Sequence, residues 1–345
     1  MHIVYICNEL PPAPTGGIGT CVNLISHELA RVGHNITVVG IYNYDYGWDI
    51  PGVKVIPIYR YAPRIITRFI HPLYFKRVAI YRTLKYINKI NPINVIEWPD
   101  YEGLYFKPIP GVTNIVRNSG VSEYINSYKP NTMSRIQAKM ELNTLRSIDN
   151  WIGVSEWSIH KYIKLFDIQP KNSKIIYNPI DAELFAPINK NAQLPINNAI
   201  LFSGSLRESK GVFQLLYASN IFLKKCTDAR LLLIGRADPK DLLIMNQMIQ
   251  SEIRNRIIIA YPVSQSTLSN VMRQSTIFAM PSYMETFGNV WAEAMASGLP
   301  IIGSTLSCGP EIVPDKIAGL LVDPNNIEQI ADPMCQYRVR HFPYL

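Results

Sequence analysis

Short apolar runs alternate with segments of helical periodicity along the chain. The first apolar run, residues 1–7, is followed by a turn-rich segment and then by residues 20–34, whose apolar positions recur at helical spacing up to Gly33. Residues 36–41 form the next apolar run, so this region predicts a strand–helix–strand unit. The alternation continues in apolar runs at 94–98, 113–118 and 150–155 and in a helix-compatible segment at 134–145. It predicts a doubly wound parallel sheet.

A second block of the same alternation follows a Pro- and Asn-rich stretch. Residues 178–198 carry little periodicity, and the pattern of apolar runs and helical segments restarts at residue 199 and continues to residue 304. We therefore predict two domains, an N-terminal one at 1–181 and a C-terminal one at 182–345. Both are expected to be Rossmann-like, doubly wound α/β domains that face each other across a ligand-binding cleft.

Composition narrows the class of protein without changing this picture. A length of 345 residues suits about two domains, and the hydrophobic content of 48% is that of a globular chain. No apolar stretch reaches the roughly 18 residues of a membrane span, and the N-terminus is too short and too weakly basic for a signal peptide. These features predict a cytoplasmic protein. The five cysteines and six histidines lack metal-binding spacing, so we expect reduced thiols, no bound metal and no cofactor.

The net charge of +8 is concentrated in the first half of the chain. No acidic residue lies between Asp49 and Glu97, whereas basic residues are interleaved with Tyr, Phe and Ile at 54–89. Such a stretch suits an anionic membrane surface, and a solvated helix face that happens to be basic is an equally valid interpretation. Its later part would form a helix with a basic edge and an apolar or aromatic face, built from Phe75, Lys76, Arg77, Tyr81, Arg82, Leu84, Lys85, Ile87 and Lys89. No nucleic-acid-binding motif accompanies the charge, so nucleic acid is not an expected partner.

Residues 280–302 hold the most informative local pattern. A strand end is followed by Glu285 in a loop, and Gly288 then precedes a helix that contains Glu293 and ends before Pro300. A helix N-terminus at the carboxyl end of a strand presents N–H groups and a positive dipole, which favour a diphosphate. Carboxylates accept hydrogen bonds from sugar hydroxyls. Taken alone, however, the two glutamates also fit a helix cap and an exposed helical residue.

Further segments place these glutamates in a family pattern. Glu285 and Glu293 are separated by seven residues, Phe-Gly follows the first, and AMASGLPII follows the second. The chain also contains, in order, GGIG (16–19), EWPDYEG (97–103), VSEWSIHKYI (154–163), IIYNPIDAELF (175–185) and SGSLRESKGVFQLLYA (203–218). Together these segments resemble the family 4 (group 1) retaining glycosyltransferases, which have the GT-B fold.

The resemblance implies transfer of a sugar from a nucleotide-sugar donor, with retention of anomeric configuration and without a metal. It implies that Glu293 binds the ribose hydroxyls, that Glu285 contacts the donor sugar and that Lys210 binds the diphosphate. It also implies a set of backbone contacts: sugar hydroxyls with Phe287, Gly288 and Asn289, and the phosphates with Asn289, Val290, Gly16 and Gly17. Lys210, an arginine and a helix N-terminus would stabilise the charge on the departing phosphate.

Three departures from the family pattern concern the site and the chain end. The Gly-Arg pair of the phosphate loop is Gly204-Ser205 here, so Arg207 is the candidate for the missing charge. The first-domain His-Gly pair is Ser119-Gly120, and a hydroxyl does not replace an imidazole fully. The family's helix that returns to the first domain has no counterpart after Asn326, which implies a truncated C-terminal domain.

These observations predict a retaining glycosyltransferase that acts on a glycan or lipid-linked acceptor in cell-surface polysaccharide or glycolipid synthesis. Its predicted catalytic residues are Glu285, Lys210 and Arg207, and its predicted acceptor-side residues are Ser119, Trp98 and Asp100. The basic stretch 54–89 would hold it at the inner face of the membrane as a peripheral protein. Two other functions stay open: a nucleotide-sugar epimerase, which converts donor without acceptor, and a catalytically impaired protein that only binds a nucleotide-sugar.

Overall fold

The computed structural model describes residues 1–13, 16–59, 71–121, 125, 134–187 and 198–336. Residue contacts divide the chain into two compact units, Met1–Pro179 and Ile180–Leu345, here called the first and second unit. The division falls within the Pro- and Asn-rich stretch of the sequence. No helix in the described ranges combines the length and the hydropathy that crossing a membrane requires.

The described part of the first unit forms a seven-stranded parallel sheet in the order β3-β2-β1-β4-β5-β6-β7. The strands are β1 (His2–Ile6), β2 (Asn35–Ile41), β3 (Val53–Ile58), β4 (Val95–Pro99), β5 (Thr113–Asn118), β6 (Asn150–Gly153) and β7 (Asn172–Ile175). The helices are α1 (Gly17–Arg31), α2 (Pro72–Ile90), α3 (Arg135–Ser147) and α4 (Glu156–Phe166). Val4, Ile36 and Val38 of the central strands are fully buried, as expected for a parallel sheet covered by its helical connections.

Local sequence sets where two of these helices begin and end. Ser155 and Ser158 form a reciprocal cap at the start of α4, because each hydroxyl accepts the other residue's backbone N–H. Helix α1 ends just before Gly33, whose φ of 92° lies in the left-handed region that glycine adopts without strain. The chain then enters β2 directly, which completes the predicted strand–helix–strand unit.

The described part of the second unit forms a six-stranded parallel sheet in the order β10-β9-β8-β11-β12-β13. The strands are β8 (Ala199–Ser203), β9 (Arg230–Ile234), β10 (Ile257–Ala260), β11 (Ile277–Ala279), β12 (Ile301–Ser304) and β13 (Gly319–Val322). The helices are α5 (Val212–Lys225), α6 (Pro239–Met248), α7 (Gln265–Gln274), α8 (Asn289–Ala296), α9 (Gly309–Ile312) and α10 (Ile327–Gln336).

The strand order reverses once in each of these sheets. The reversal lies between β1 and β4 in the first unit and between β8 and β11 in the second. Ligands of open α/β sheets bind outside the carboxyl ends of the strands at such a reversal. The loops that leave those ends begin at residues 7, 100, 204 and 280, and they contain most of the predicted site residues. The predicted doubly wound α/β class is confirmed.

Candidate functional site

An ion pair bridges the two loops at the strand reversal of the second unit. Lys210 ends a short 3₁₀ turn, Glu208–Lys210, after β8, and Glu285 lies in the loop after β11. The Lys210 Nζ is 2.5 Å from the Glu285 Oε1, and the two side chains keep only 19% and 11% of their exposure. The Nζ also donates to the Met284 carbonyl at 3.4 Å. These contacts use two of the three ammonium N–H donors, so one donor is left for a ligand oxygen.

Backbone contacts hold the two loops together around this pair. The N–H groups of Tyr283 and Met284 both donate to the Ser209 carbonyl, at 3.0 and 3.2 Å. Gly211 has a φ of 75°, and a Cβ on it would lie 2.0 Å from the Pro281 carbonyl oxygen. A side chain at position 211 would therefore push the loops apart. The Ser282 hydroxyl lies 3.4 Å from the Glu285 Oε1, which adds a polar contact to the pair.

Helix α8 begins shortly after Glu285 in the chain, at a glycine that has no side chain to cap it. Its N-cap, Gly288, has a φ of 77°, and a Cβ there would lie 2.4 Å from the Trp291 ring. Residues 288–296 are all described, and they include neither a side-chain cap nor an acidic residue in the first turn. The positive end of the helix dipole is therefore not neutralised by its own first turn, which favours an anion there.

Glu293 lies in the second turn of α8 and is 4% exposed. Burial raises the pKa of its carboxyl to about 7, an effect that a hydrogen bond with the Gln265 side chain partly offsets. Its Oε2 has no hydrogen-bond partner in the described ranges. The alternative interpretation of Glu293 as an exposed helical residue is wrong. A buried carboxylate oxygen without a partner is costly, so it marks a place where a hydroxyl or water is expected to donate.

The remaining predicted residues of the second unit differ in how deeply their side chains are buried. Phe287 is buried, Val290 is half-buried, and the Arg207 side chain is exposed on the Lys210 loop. Gly204 has a φ of 152°, and its carbonyl oxygen would lie 1.7 Å from a Cβ on Gly235, so the loops after β8 and β9 pack closely. In the described contacts, the Arg207 guanidinium joins neither Glu285 nor another carboxylate.

The glycine loop of the first unit is capped by a residue that the pattern did not single out. Helix α1 starts after Gly16, and the Glu9 Oε1 accepts the Gly19 N–H at 2.8 Å. A Cβ on Gly16 would lie 3.1 Å from the Glu9 Oε2, so the carboxylate sits directly against the loop. Burial raises the pKa of Glu9, and backbone N–H groups of the loop oppose that rise. The approach of Gly16 and Gly17 to phosphates stays a prediction, and a phosphate there would face this carboxylate.

Asp100 and Trp98, predicted on the acceptor side, are both buried. The Asp100 Oδ2 accepts the N–H groups of Ser119 and Gly120, at 2.8 and 3.0 Å, and the Tyr162 hydroxyl at 2.8 Å. Burial raises the pKa of Asp100 to about 6. These contacts position the Ser119-Gly120 loop, whereas the Asp100 Oδ1 is buried without a hydrogen-bond partner in the described ranges.

Trp98 likewise makes internal contacts. Its Nε1 donates to the Asn114 Oδ1 at 2.9 Å, and its ring packs edge-on against Tyr105. Together with Ser119 and the buried Arg117–Glu97 ion pair it lines a cavity of about 20 Å³, which has room for one water. Direct acceptor contact stays a prediction for Ser119, Trp98 and Asp100.

Comparison with known proteins identifies the architecture. One family model, Glycosyltransferase Family 4, matches residues 15–184, and a second, Glycosyl transferases group 1, matches residues 197–337. The chain belongs to the family 4 (group 1) glycosyltransferases. As a member of this family, it transfers a sugar from a nucleotide-sugar donor.

One sequence relative and two solved structures are similar to this glycosyltransferase over nearly the whole chain. An uncharacterized glycosyltransferase of Methanocaldococcus jannaschii is 26% identical over 351 aligned positions, which cover 96% of this chain and 87% of that protein. The sucrose-phosphate synthase of Thermosynechococcus elongatus superposes with a TM-score of 0.79 at 18% identity, covering 97% of this chain and 89% of the other. Anabaena HepE in complex with UDP-glucose superposes with a TM-score of 0.70 at 17% identity, with the same coverage. The predicted GT-B fold is confirmed.

Residues of the loop after β12, which were not among the predicted site residues, contact the loop that holds Glu285. Cys308, after β12, is fully buried, and its thiol pKa is raised well above 9 by burial and by the nearby carboxylates of Glu285 and Glu311. The Ser307 hydroxyl donates to the Tyr283 carbonyl at 2.9 Å and so ties the β12 loop to the β11 loop. The only sequence signal for this support was the Cys-Gly-Pro-Glu turn, which is also typical of an ordinary helix start.

Proposed function

We propose that the protein is a retaining, metal-independent glycosyltransferase whose second unit holds the nucleotide-sugar. The observation that carries this proposal is the Lys210–Glu285 pair at the strand reversal, with Glu285 in the loop that leads into α8, whose first turn holds no acidic residue. Lys210 and the first N–H groups of α8 would bind the diphosphate, and Glu293 would accept hydrogen bonds from the ribose hydroxyls. Glu285 would contact the donor sugar while its Oε1 holds Lys210 in place.

In the proposed reaction, the bond between the anomeric carbon and the diphosphate oxygen breaks, and its electron pair moves to that oxygen. Lys210 and the positive end of α8 stabilise the charge that grows on the departing phosphate, and Arg207 adds charge from the surface of the same loop. The acceptor hydroxyl attacks from the side the phosphate leaves and gives its proton to a phosphate oxygen. The new bond therefore keeps the anomeric configuration of the donor.

The anomeric configuration of the product tests this function. UDP-glucose is the first donor to assay, because the similarly folded Anabaena protein was solved with it, and nucleotide-sugars with other bases and sugars complete the panel. With an α-configured donor, NMR of the product is expected to show an α linkage, and treatment with EDTA should change the rate by less than about twofold. A β linkage or loss of activity in EDTA would overturn the proposal. Donor conversion without acceptor would favour the epimerase, and binding without product would favour the impaired protein.

The proposal includes a lipid-linked acceptor, which is supported by the exposed face of α2. Arg82, Lys85 and Lys89 are exposed there together with Tyr86 and Tyr74. Basic residues and tyrosines on one helix face are typical of a surface that lies on anionic lipid, where each basic residue contributes about 1 kcal/mol. We call these five residues the basic face.

The basic face differs from the one that the sequence predicted. Lys76 pairs with Glu102 at 2.8 Å, and the Arg77 Nε donates to the Tyr105 carbonyl at 2.5 Å, so both are held against the first unit. Leu84 and Ile87 are buried. Leu84 and Ile87 therefore belong to the core, as the alternative interpretation expected, whereas Phe75 and Tyr81 are half-buried.

Reversing the charge of the basic face should abolish vesicle binding. Changing Arg82, Lys85 and Lys89 to Glu is expected to lower the partition coefficient on phosphatidylglycerol vesicles at least about 100-fold, since three attractive charges become repulsive. Co-sedimentation at low salt measures this. The matched control changes three exposed basic residues of the second unit, Lys225, Arg230 and Lys240, to Glu. Equal losses for both variants, or equal binding of wild type to neutral and anionic vesicles, would favour a soluble acceptor.

A further inference from the structure

The loop after β2 carries a cluster of aromatic side chains at the carboxyl edge of the first sheet. Tyr44, Tyr46 and Trp48, here called the aromatic platform, follow one another at every second position. Tyr46 lies 6.3 Å from Tyr44 and 5.4 Å from Trp48 between ring centroids, and all three interact edge-on or nearly so. Tyr44 is 69% exposed, and the other two are partly exposed. Scattered exposed aromatics are ordinary, but three in contact at one sheet edge are not.

Hydrogen bonds to the loop after β1 hold the platform in place. The Trp48 Nε1 donates to the Leu10 carbonyl at 3.2 Å. The neighbouring Tyr42, whose ring lies 4.5 Å from Trp48, donates its hydroxyl to the Cys7 carbonyl at 2.6 Å. The inner rings also pack on the buried core of the first unit. A platform fixed in this way loses little conformational entropy when a ligand binds.

The platform lies next to the part of the first unit that the fold uses for ligands. Its anchor, residues 7–13, leaves β1 at the strand reversal, and the same segment carries Glu9 against the glycine loop. A molecule held on the platform would therefore lie on the edge of the sheet where ligands of this fold class bind.

The charges around the platform indicate the chemistry of its ligand. Asp45 and Asp49 lie in the same loop, next in sequence to the rings, within a half of the chain whose net charge is positive. The Asp45 Oδ1 accepts the Gly47 N–H at 2.9 Å, and Asp49 is exposed. Two carboxylates would repel an anionic lipid surface, so the platform does not extend the basic face. Flat apolar ring faces beside carboxylate and phenol oxygens suit a neutral sugar, whose C–H face stacks on a ring while its hydroxyls donate.

We propose that the aromatic platform is a carbohydrate subsite that holds a sugar ring of the acceptor, with Tyr44 as its outer stacking residue. The assignment to the acceptor rests on the proposed function, whereas the binding of a sugar ring does not. Tyr46 supports Tyr44 from the side, and Trp48 in turn supports Tyr46. This subsite recognises the apolar face of a pyranose ring rather than a charged group.

Sugar binding without donor tests the subsite independently of transfer. The probes are methyl α-glucopyranoside, methyl β-galactopyranoside and N-acetylglucosamine, with glycerol as an open-chain control, measured by saturation-transfer NMR on the full chain. Tyr44→Ala is expected to raise the Kd of a binding pyranoside about three- to tenfold, whereas Tyr44→Phe should change it less than twofold because the ring is kept. Tyr261→Ala, a substitution of an exposed tyrosine in the second unit, is the matched control.

Each outcome decides the proposal. Pyranoside binding that depends on the Tyr44 ring, without glycerol binding, supports the subsite. This holds even if the protein binds no nucleotide-sugar, a result that would overturn the proposed function but not the subsite. Equal Kd values for wild type and Tyr44→Ala, equal losses for Tyr44→Ala and Tyr261→Ala, or binding of no pyranoside would overturn it. Loss of binding to phosphatidylcholine vesicles by Tyr44→Ala, with unchanged pyranoside binding, would assign the rings to lipid instead.

Discussion

Replacing Lys210 with alanine is expected to weaken UDP binding by about 10- to 150-fold while changing uridine binding by less than about twofold. The range corresponds to the loss of hydrogen bonds from a charged donor to a phosphate. Lys210 ends a 3₁₀ turn in the loop after β8 and has one ammonium donor beyond its two described contacts. The loss of affinity should therefore appear only for ligands that carry the diphosphate. Titration calorimetry with UDP and with uridine separates the two ligands. If a nucleotide with another base binds better than UDP, that nucleoside diphosphate and its nucleoside replace UDP and uridine in the titrations.

The same substitution leaves the Glu285 carboxylate largely buried without its partner. We expect a loss of about 2 kcal/mol in unfolding free energy, below the range for a fully buried pair because both side chains keep some exposure. Adding Glu285→Gln should restore stability but not UDP binding. Lys224→Ala, which breaks the exposed pair with Glu252, is the control and should cost less than about 1 kcal/mol. Equal losses of uridine and UDP affinity would give Lys210 a purely structural role.

Glu293→Gln is expected to stabilise the ligand-free protein at pH 8 by about 3 kcal/mol and to leave its stability nearly unchanged at pH 4.5. The folded-state pKa of about 7 lies above the ordinary value of 4.5, so the folded protein holds the proton more tightly than the unfolded chain. Wild-type stability is therefore lost as pH rises from 4.5 through 7, and glutamine, which does not titrate, avoids that loss. Urea unfolding at both pH values measures the difference.

Bound UDP should reduce the stability advantage of Glu293→Gln. Ribose hydroxyls that donate to Glu293 favour the carboxylate, so UDP binding near pH 7 should release a proton from wild type and none from Glu293→Gln. Calorimetry in buffers of different ionisation enthalpy detects that proton, and the variant's affinity should fall about tenfold. Glu252→Gln, at an exposed site, should change neither stability nor proton release. A stability gain of the same size at both pH values would contradict a titrating Glu293.

Periodicity could predict the sheets because buried parallel strands are short apolar runs that stand out between helices. Strand β3 was harder to recognise, since VKVIPI lies within the basic stretch and contains a lysine and a proline. Short strands such as β7, whose sequence is NSKI, carry almost no hydrophobic signal. Their place is set by pairing with a neighbouring strand, which a local pattern does not show.

The residues of the candidate site also differ in how far the sequence could predict their contacts. Glu285 and Lys210 could be placed in one site from the family resemblance, and the structure joins them in an ion pair. The hydrogen bonds from the Ser119-Gly120 loop to Asp100 could not be predicted, because a carboxylate that follows a strand has the same sequence signature whether it faces a ligand or a backbone loop. Lys76 and Arg77 were misplaced for a related reason, because their partners lie at residues 102 and 105 rather than on their own helix. The aromatic platform needed the observed contacts with residues 7–10.

Helices α1 and α8 both begin at a glycine after a strand next to the reversal, and each has a carboxylate near its start. Glu9 accepts the Gly19 N–H of α1, so its charge is directed at that helix, whereas the charge of Glu285 before α8 is compensated by Lys210. Fragment screens should therefore find different chemistry at the two helices. Phosphate and sulfonate mimics should bind at α8, and amines and uncharged polyols should bind near α1. An inhibitor series that started from α1 would be misdirected by adding negative charge to gain affinity.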